Sequence, residues 1–203
     1  FLLALTFGLM AKGLASSEIM GLACSIQDNI GFIDIGISPE DIIDLSGTGG
    51  DRVKTLNVST AASFVVASTG AYVAKQATRA YTGSSGSADV FSAIGLDIFS
   101  SNNVAEIRRC LIDNKIAAYY PPAFSASMKT RIDFLKKIKN IGLNYLTPWH
   151  LVSWIHSPIK MNQRLYGVMD DKYVKPVAEA FIRLGYQRGM VVHGKDGLDE
   201  ISN

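Results

Sequence analysis

The fold is decided by residues 45–60, which read LSGTGGDRVKTLNVST. Three of the four residues 47–50 are glycines, and glycine lets the backbone adopt positive φ and bring its N–H groups close to an anion without interference from a Cβ atom. An apolar run, 61–67, follows Ser59 and Thr60, so one of these two residues is predicted to cap a helix. The positive end of that helix would point at the glycine loop. The stretch therefore predicts a phosphate-binding site.

A second polar segment follows in the chain. Residues 71–74 predict a strand that delivers Lys75 and Arg79 to its carboxyl end, where open α/β sheets bind ligands. Residues 84–87 then add hydroxyl groups and flexible backbone before the next predicted helix. The glycine loop lacks the Gly-Lys-Ser/Thr ending of a nucleotide-hydrolase P-loop and the GxGxxG spacing of a dinucleotide fold. Two polar loops with cations between them suit a ligand with more than one phosphate.

The remaining chain alternates between helical and strand patterns, which predicts an α/β fold. Residues 190–193 are continuously apolar and are predicted to be a strand buried inside a parallel sheet. Residues 147–158 predict a loop or short helix over the site. The other predicted helices cover 17–27 after a Ser16 cap, 104–114 after Asn102-Asn103, 125–140 and 173–184; the other predicted strands cover 115–120 and 165–168.

Composition restricts the class of protein. The chain has 203 residues, of which 48% are hydrophobic, enough for one α/β domain with a small satellite domain. The formal net charge of +2 predicts neither nucleic acid nor a membrane surface as a partner. Cys24 and Cys110 lack metal-ligand spacing and are interpreted as reduced core residues. Residues 1–10 are too short to span a bilayer and lack the features of a signal peptide, which predicts a cytoplasmic protein.

Four motifs together resemble those of the anthranilate phosphoribosyltransferase family. They are GTGGD at 47–51, NVSTAA at 57–62, SGSADV at 85–90 and HGKDGLDEIS at 193–202, in the family's order and approximate spacing. The resemblance implies transfer of a phosphoribosyl group from phosphoribosyl pyrophosphate (PRPP) to the amine of anthranilate, with magnesium, in tryptophan biosynthesis. It also implies a mostly parallel sheet flanked by helices with a small all-helical domain, the fold shared with pyrimidine nucleoside phosphorylases, and a homodimer formed through the helical domain.

The resemblance further implies a domain organisation. Residues 1–43, joined by part of 121–144, would form the helical domain. Residues 44–120 and 145–203 would form the α/β domain that binds the phosphoribosyl donor. Family members carry additional helices before Phe1 and a long stretch after Ser202, so both domains are expected to be incomplete here.

The same resemblance assigns the donor and metal sites. Asp199 and Glu200 would bind magnesium with help from the Ser59 hydroxyl, and a hard cation does prefer oxygen donors. No catalytic base is assigned, because an aryl amine is already a neutral nucleophile at pH 7. The implied PRPP-binding residues are Gly47, Gly49, Gly50, Asp51, Thr55, Asn57, Ser59, Thr60, Lys75 and Ser87.

The acceptor side departs from the family pattern. The family has His-Gly-Asn after its lysine, whereas this chain has Gln-Ala-Thr at 76–78, so Gln76 and Thr78 are the expected acceptor contacts. The family arginine that binds the anthranilate carboxylate falls near Asn140. The basic face of helix 125–140 is expected to be solvated, with the alternative that one cation faces an acidic substrate; its cations are Lys129, Arg131, Lys136, Lys137 and Lys139.

Three alternatives stay open on these residues. The residues expected to bind the donor match the family pattern, whereas those expected to bind the acceptor differ from it. The acceptor could therefore be another aromatic or nitrogenous compound. A nucleoside phosphorylase of the same fold would use inorganic phosphate instead of an amine. A catalytically silent relative could bind nucleic acid or a protein partner, although the low net charge and the Asp199-Glu200 pair count against it.

Overall fold

A computed structural model describes residues 1–49, 56–80, 85–99, 103–142 and 146–202. In this part of the chain five strands form one parallel sheet: β1 Ile42–Gly47, β2 Tyr72–Gln76, β3 Ile116–Tyr119, β4 Gln163–Gly167 and β5 Arg188–Val192. The strand order is β3-β2-β1-β4-β5. The predicted α/β fold with a mostly parallel sheet is confirmed.

Eight helices accompany the sheet in the described ranges. They are α1 Leu2–Lys12, α2 Ser16–Gln27, α3 Val58–Ser68, α4 Ser87–Ala93, α5 Val104–Asn114, α6 Ala126–Asn140, α7 Pro148–Val152 and α8 Val174–Arg183. Short 3-10 turns precede β1, α6 and α8, at Pro39–Asp41, Pro121–Ala123 and Asp171–Tyr173. No helix in these ranges is long and apolar enough to cross a bilayer.

The strand order places a topological switch beside β1. The chain adds β2 and β3 on one side of β1, and then returns to add β4 and β5 on the other side. At the carboxyl ends of β1 and β4, Gly47 and Gly167 stand in register. Open parallel sheets bind ligands outside the carboxyl ends of their strands at such a switch point. The loop that follows β1 therefore begins where the fold favours a ligand site.

Most predicted element boundaries lie within two residues of the observed ones, and two helix starts were placed wrongly. Helix α3 begins at Val58 with Asn57 as its N-cap residue, so the prediction of Ser59 or Thr60 was wrong. The Asn57 side chain makes no capping hydrogen bond, and the earlier start puts both hydroxyl residues inside the first turn. Helix α2 likewise includes Ser16 and has Ala15 at the cap position. The predicted cap of α5 is confirmed at Asn103, whose side chain accepts a hydrogen bond from the Glu106 amide.

The largest core cluster joins helices to the sheet. Ile19 of α2, Met128 of α6, Leu151 of α7 and Phe181 of α8 pack together with Tyr166 of β4. Helix α2, which precedes β1, and helices α6 and α7, which lie between β3 and β4, thus share one core with strand β4 and helix α8. The division of the chain into a helical and an α/β domain stays a prediction.

Three burial predictions need correction. Strand β5 is an edge strand of the described sheet, where Met190 is 56% exposed, because β5 pairs with β4 alone among the described strands. Cys24 and Cys110 are free thiols as expected, but each is only partly buried. Arg131 on the basic face of α6 is buried, since it points towards the residues after α7, whereas the lysines of that face are exposed.

Buried His156 predicts a specific loss of stability in acid. Burial first, and then the nearby charge of Arg164, lower its pKa to about 3. The folded protein keeps this imidazole neutral, while the unfolded chain takes up a proton as the pH falls below about 6.5, so the free energy of unfolding drops by up to about 1.4 kcal/mol per pH unit.

Urea unfolding at pH 7 and pH 5 checks this expectation in the wild type and in His156→Leu. The variant should lose less stability than the wild type between the two pH values. An equal loss in both proteins would contradict the assignment.

Candidate functional site

Two backbone amides and two carboxylates meet at the carboxyl edge of the sheet. The Gly49 N–H donates to Oδ2 of Asp199 at 2.8 Å, and the Ser59 N–H at the start of α3 donates to Oε1 of Glu200 at 3.1 Å. These contacts join residues that are 150 and 141 positions apart in the chain. The glycine loop, the positive end of α3 and the last described loop therefore lie together.

Two glycines make room for Asp199 at the switch point. A Cβ atom at Gly47 would lie 2.6 Å from Oδ2 of Asp199, and one at Gly167 would lie 1.6 Å from the Asp199 carbonyl oxygen. Asp199 is only 7% exposed in this position. Side chains on the register pair of β1 and β4 would therefore push Asp199 out of the site.

Lys75 brings a buried cation to the same edge. It lies near the carboxyl end of β2, and its ammonium donates to the Leu45 carbonyl and, at 3.3 Å, to the Ser59 hydroxyl. Burial lowers the pKa of Lys75 below its ordinary value, while the negative charges of Asp44, Glu200 and Asp199 act in the opposite direction. A buried ammonium beside a helix N-terminus creates a positive field suited to an anion.

The second polar loop joins the first, as the sequence predicts. The Thr60 hydroxyl donates to the Ser87 hydroxyl at 3.1 Å, and the Asn57 amide donates to the Ser85 hydroxyl at 3.2 Å. Ser87 is the first residue of α4. The two hydroxyl-rich segments that flank β2 therefore border one site. Gly50, Asp51, Thr55 and Ser84 lie outside the described residues.

The oxygen donors at 199–200 fit a hard divalent cation. Asp199 and Glu200 are adjacent carboxylates, and the Ser59 residue bonded to Glu200 adds a hydroxyl. Magnesium is commonly bound by one or two carboxylates together with substrate phosphates, so two protein carboxylates suffice. In the described ranges, no group of three or more His, Cys, Asp and Glu residues could hold a metal ion without substrate phosphates.

The predicted acceptor residues are divided between the site edge and the surface. Gln76 is buried, and its Nε2 donates to Oδ2 of Asp44 at 3.1 Å and to the Trp154 carbonyl at 3.2 Å. The Thr78 carbonyl accepts from the Ala88 amide at 3.0 Å, next to the start of α4. Asn140 is the exposed last residue of α6. The structure thus brings Gln76 and Thr78 to the site and leaves Asn140 on the surface.

An ion pair under the site was missed by the sequence reasoning. Nη2 of Arg164 lies 2.5 Å from Oδ2 of Asp44, and both side chains are fully buried. Oδ1 of Asp44 also accepts from the Ser46 hydroxyl at 2.8 Å. Burial opposes the charge of Arg164, but Tyr186 and Asp44 raise its pKa above the ordinary value. The available signal was one charge beside each of two apolar stretches, Asp44 within 42–45 and Arg164 just before 165–168, because such charges are almost never buried unless paired.

Buried polar side chains also fix the segment after α7. Gln76 binds the carbonyl of Trp154, Arg164 binds the carbonyl of Ile155, and the Tyr119 hydroxyl lies 2.5 Å from that of Ser157. These three side chains come from β2, β4 and β3. The segment at 153–157 is therefore anchored to the sheet, while the prediction that residues 147–158 cover the site stays a prediction.

Comparison with known sequences gives consistent matches. The sequence profile of the family described as "Glycosyl transferase family, a/b domain" matches residues 39–203. An anthranilate phosphoribosyltransferase from Clostridium beijerinckii is 36% identical over 195 residues, which cover 96% of this chain and 55% of the relative. One from Bacillus caldotenax is 35% identical over 194 residues, which cover 96% of this chain and 76% of the relative.

Two solved structures share the fold. Anthranilate phosphoribosyltransferase from Thermus thermophilus aligns with a TM-score of 0.82 at 28% identity, over 97% of this chain and 56% of that one. The enzyme from Saccharomyces cerevisiae, solved in complex with PRPP and Mg, aligns with a TM-score of 0.76 at 28% identity, over 92% of this chain and 50% of that one. The chain spans about half the length of the Clostridium relative and of both structures.

The close approach of Gly167 to Asp199 predicts a large steric effect. Gly167→Ala places a methyl group against the Asp199 backbone, and forced overpacking typically costs about 1–3 kcal/mol. Gly21→Ala in α2 is the matched control, because a Cβ atom there meets no atom within 4 Å. Chemical denaturation should show a lower free energy of unfolding for Gly167→Ala and none of that loss for Gly21→Ala. Equal stability of the two variants would refute the contact.

Proposed function

The chain belongs to the glycosyl transferase family defined by this α/β domain, and on that premise we propose that its protein is an anthranilate phosphoribosyltransferase. It would transfer the phosphoribosyl group of PRPP to the amine of anthranilate and release pyrophosphate. The observation that carries this proposal is the meeting of the Gly49 and Ser59 amides, the Lys75 ammonium and the 199–200 carboxylates at the switch point. The relatives' names and the PRPP complex of the yeast enzyme support it.

The donor site would use backbone amides and buried cations to hold phosphate groups. The Lys75 ammonium lies 3.3 Å from the Ser59 hydroxyl in the first turn of α3, so a diphosphate bound there would accept hydrogen bonds from the ammonium and from the helix N-terminus. The hydroxyl groups of Thr60 and Ser87 border the same space. The proposed donor residues are Gly47, Gly49, Gly50, Asp51, Thr55, Asn57, Ser59, Thr60, Lys75 and Ser87.

Magnesium would be held by Asp199 and Glu200, with the Ser59 hydroxyl assisting. When bound, such a cation supplies positive charge that neutralises phosphate oxygens. The hydrogen bonds from the Gly49 and Ser59 amides orient both carboxylates towards the loop that would hold the diphosphate. Carboxylates in this place would repel a diphosphate unless a cation lay between them, which favours a metal-dependent site.

In this reaction the protein must position the reacting groups and neutralise the charge on the leaving group. Displacement at C1 of the ribose builds positive charge on the sugar and negative charge on the leaving pyrophosphate. Lys75 and the helix α3 N-terminus would stabilise the leaving group, and the segment at 153–157 would help to hold the acceptor amine in line with the breaking bond. No general base is required, because the attacking aryl amine is neutral at pH 7.

The remaining parts of the proposal concern the acceptor and the assembly. Gln76 and Thr78 would contact the acceptor, with Gln76 supported by its position beside Lys75 and its bond to the Trp154 carbonyl, whereas the exposed position of Asn140 at the end of α6 speaks against a contact. The protein would be cytoplasmic and would form a homodimer through its helical domain, as the family resemblance implies.

Calorimetry with PRPP tests the donor and metal sites together. The wild type should bind PRPP more tightly, by about ten-fold or more, when magnesium is present, because a charge-assisted contact contributes about 1.5–3 kcal/mol. Asp199→Asn combined with Glu200→Gln should abolish that enhancement. The exposed pair Asp28→Asn with Glu40→Gln is the control with the same change in charge.

Equal affinity for PRPP with and without magnesium in the wild type would refute the metal role. Turnover of a nucleoside with inorganic phosphate, in place of PRPP binding, would show a phosphorylase of the same fold.

A further inference from the structure

A cavity of about 400 Å³ lies at the edge of the sheet formed by the amino ends of its strands. Its lining includes Glu40 ahead of β1, Asn162 ahead of β4 and Tyr186 ahead of β5. Strand β4 has five residues, so about 17 Å of sheet separates this edge from the carboxyl edge that carries the donor site. No lining residue is among those assigned above to the donor or to magnesium. The cavity is therefore a second candidate ligand site.

Much of the lining of this cavity is apolar. The side chains of Ile30, Ile159 and Met161 contribute to it and are at most 7% exposed, and the rings of Phe32 and Tyr186 add aromatic surface. Sites for small molecules typically have volumes of about 300–1,000 Å³, mostly apolar walls and a few polar groups that fix the orientation of the ligand. The size and the aromatic walls favour a ligand with an apolar ring.

Two opposite charges line the same cavity without pairing with each other. Glu40 and Lys160 each stand three residues ahead of a register pair, Ile43 of β1 and Gln163 of β4, so they lie on adjacent segments. The Gln163 side chain donates to the Glu40 carbonyl and holds these segments together. Both charged side chains are exposed, and neither forms an ion pair with any residue in the described ranges.

The ring of Phe32 holds the Lys160 ammonium beside the cavity. Nζ of Lys160 lies 4.9 Å from the centroid of this ring, within the range of a cation–π interaction. Phe32 is itself part of the lining and is 48% exposed. The contact therefore keeps the cation on the cavity wall, near Glu40 but not bonded to it.

An apolar cavity with one cation and one anion in its wall is complementary to an α-amino acid, which carries its carboxylate and its ammonium on one carbon atom. We propose that this cavity binds a free α-amino acid with an aromatic side chain. Its carboxylate pairs with Lys160, its ammonium pairs with Glu40, and its ring packs against the apolar residues of the wall. Because exposed ion pairs contribute little free energy, the ring supplies most of the affinity and the two charges supply the selectivity.

Titration of the wild type with L-phenylalanine, followed by methyl NMR, tests the place and the chemistry of this site. The Met161 methyl resonance should shift, whereas that of Met10 in α1 should not. Phenethylamine lacks the carboxylate and 3-phenylpropionate lacks the ammonium. Each should bind about five-fold more weakly than phenylalanine, the upper end for an exposed ion pair. Equal affinity for the three probes, or an unmoved Met161 resonance, would overturn the proposal.

Variants of the two charged residues test which charge each one recognises. Lys160→Met should no longer prefer phenylalanine to phenethylamine, and Glu40→Gln should no longer prefer it to 3-phenylpropionate. Both side chains are exposed, so these substitutions leave the core intact. Lys136→Met, which removes an exposed charge from α6, is the control and should keep both preferences. Unchanged preferences in Lys160→Met and Glu40→Gln would overturn the assignment. The titrations need neither PRPP nor magnesium, so their outcome is independent of the function proposed above.

Discussion

The hydrogen bond from the Gly49 amide to the Asp199 carboxylate is the contact on which the site depends. It joins the loop after β1 to the loop after β5, which lie on opposite sides of the switch point in the strand order. Parallel strands bring their carboxyl ends to one edge, so loops far apart in sequence become neighbours. The glycine pair at 47 and 167 leaves the space that Asp199 needs. The position of Asp199 in the site therefore depends on the space left by these glycines as well as on its hydrogen bond.

Below that contact, buried polar groups connect the two halves of the site. The Asp44–Arg164 pair spans β1 and β4, and its partners reach Gln76 and the carbonyl of Ile155. Breaking one member of a buried pair typically costs about 3–5 kcal/mol, because the other charge is left uncompensated. This network thus links β1, β2 and β4 to the segment at 153–157. Arg131 differs from Arg164 in that it has no carboxylate partner among the described residues.

The sequence predicted which loops meet at the sheet edge because the signals for that meeting are local. Glycine spacing, hydroxyl residues at a helix start and a carboxylate pair after an apolar strand each imply a position at the sheet edge, and the structure brings Gly49, Ser59, Lys75 and Glu200 together. Helix α3 starts at Val58, which shifts the cap by two or three residues from the predicted Ser59 or Thr60.

The sequence could not predict contacts that depend on packing between distant elements. Nothing in the local pattern of α6 distinguishes Arg131 from its neighbouring lysines, because burial of that face depends on where α7 docks. The apolar pattern at 190–193 predicted a buried strand. That pattern does not tell whether a further strand pairs with the outer edge of β5. The Asp44–Arg164 pair joins positions 120 residues apart and becomes visible only in the strand register.

A crystal structure of the protein soaked with PRPP and magnesium chloride tests the central claim most directly. The account predicts the diphosphate within hydrogen-bond distance, about 2.7–3.2 Å, of the Gly49 loop and the first turn of α3, with a metal ion between it and the 199–200 carboxylates. A diphosphate bound away from the carboxyl ends of β1 and β4, with no metal ion beside it, would contradict the account.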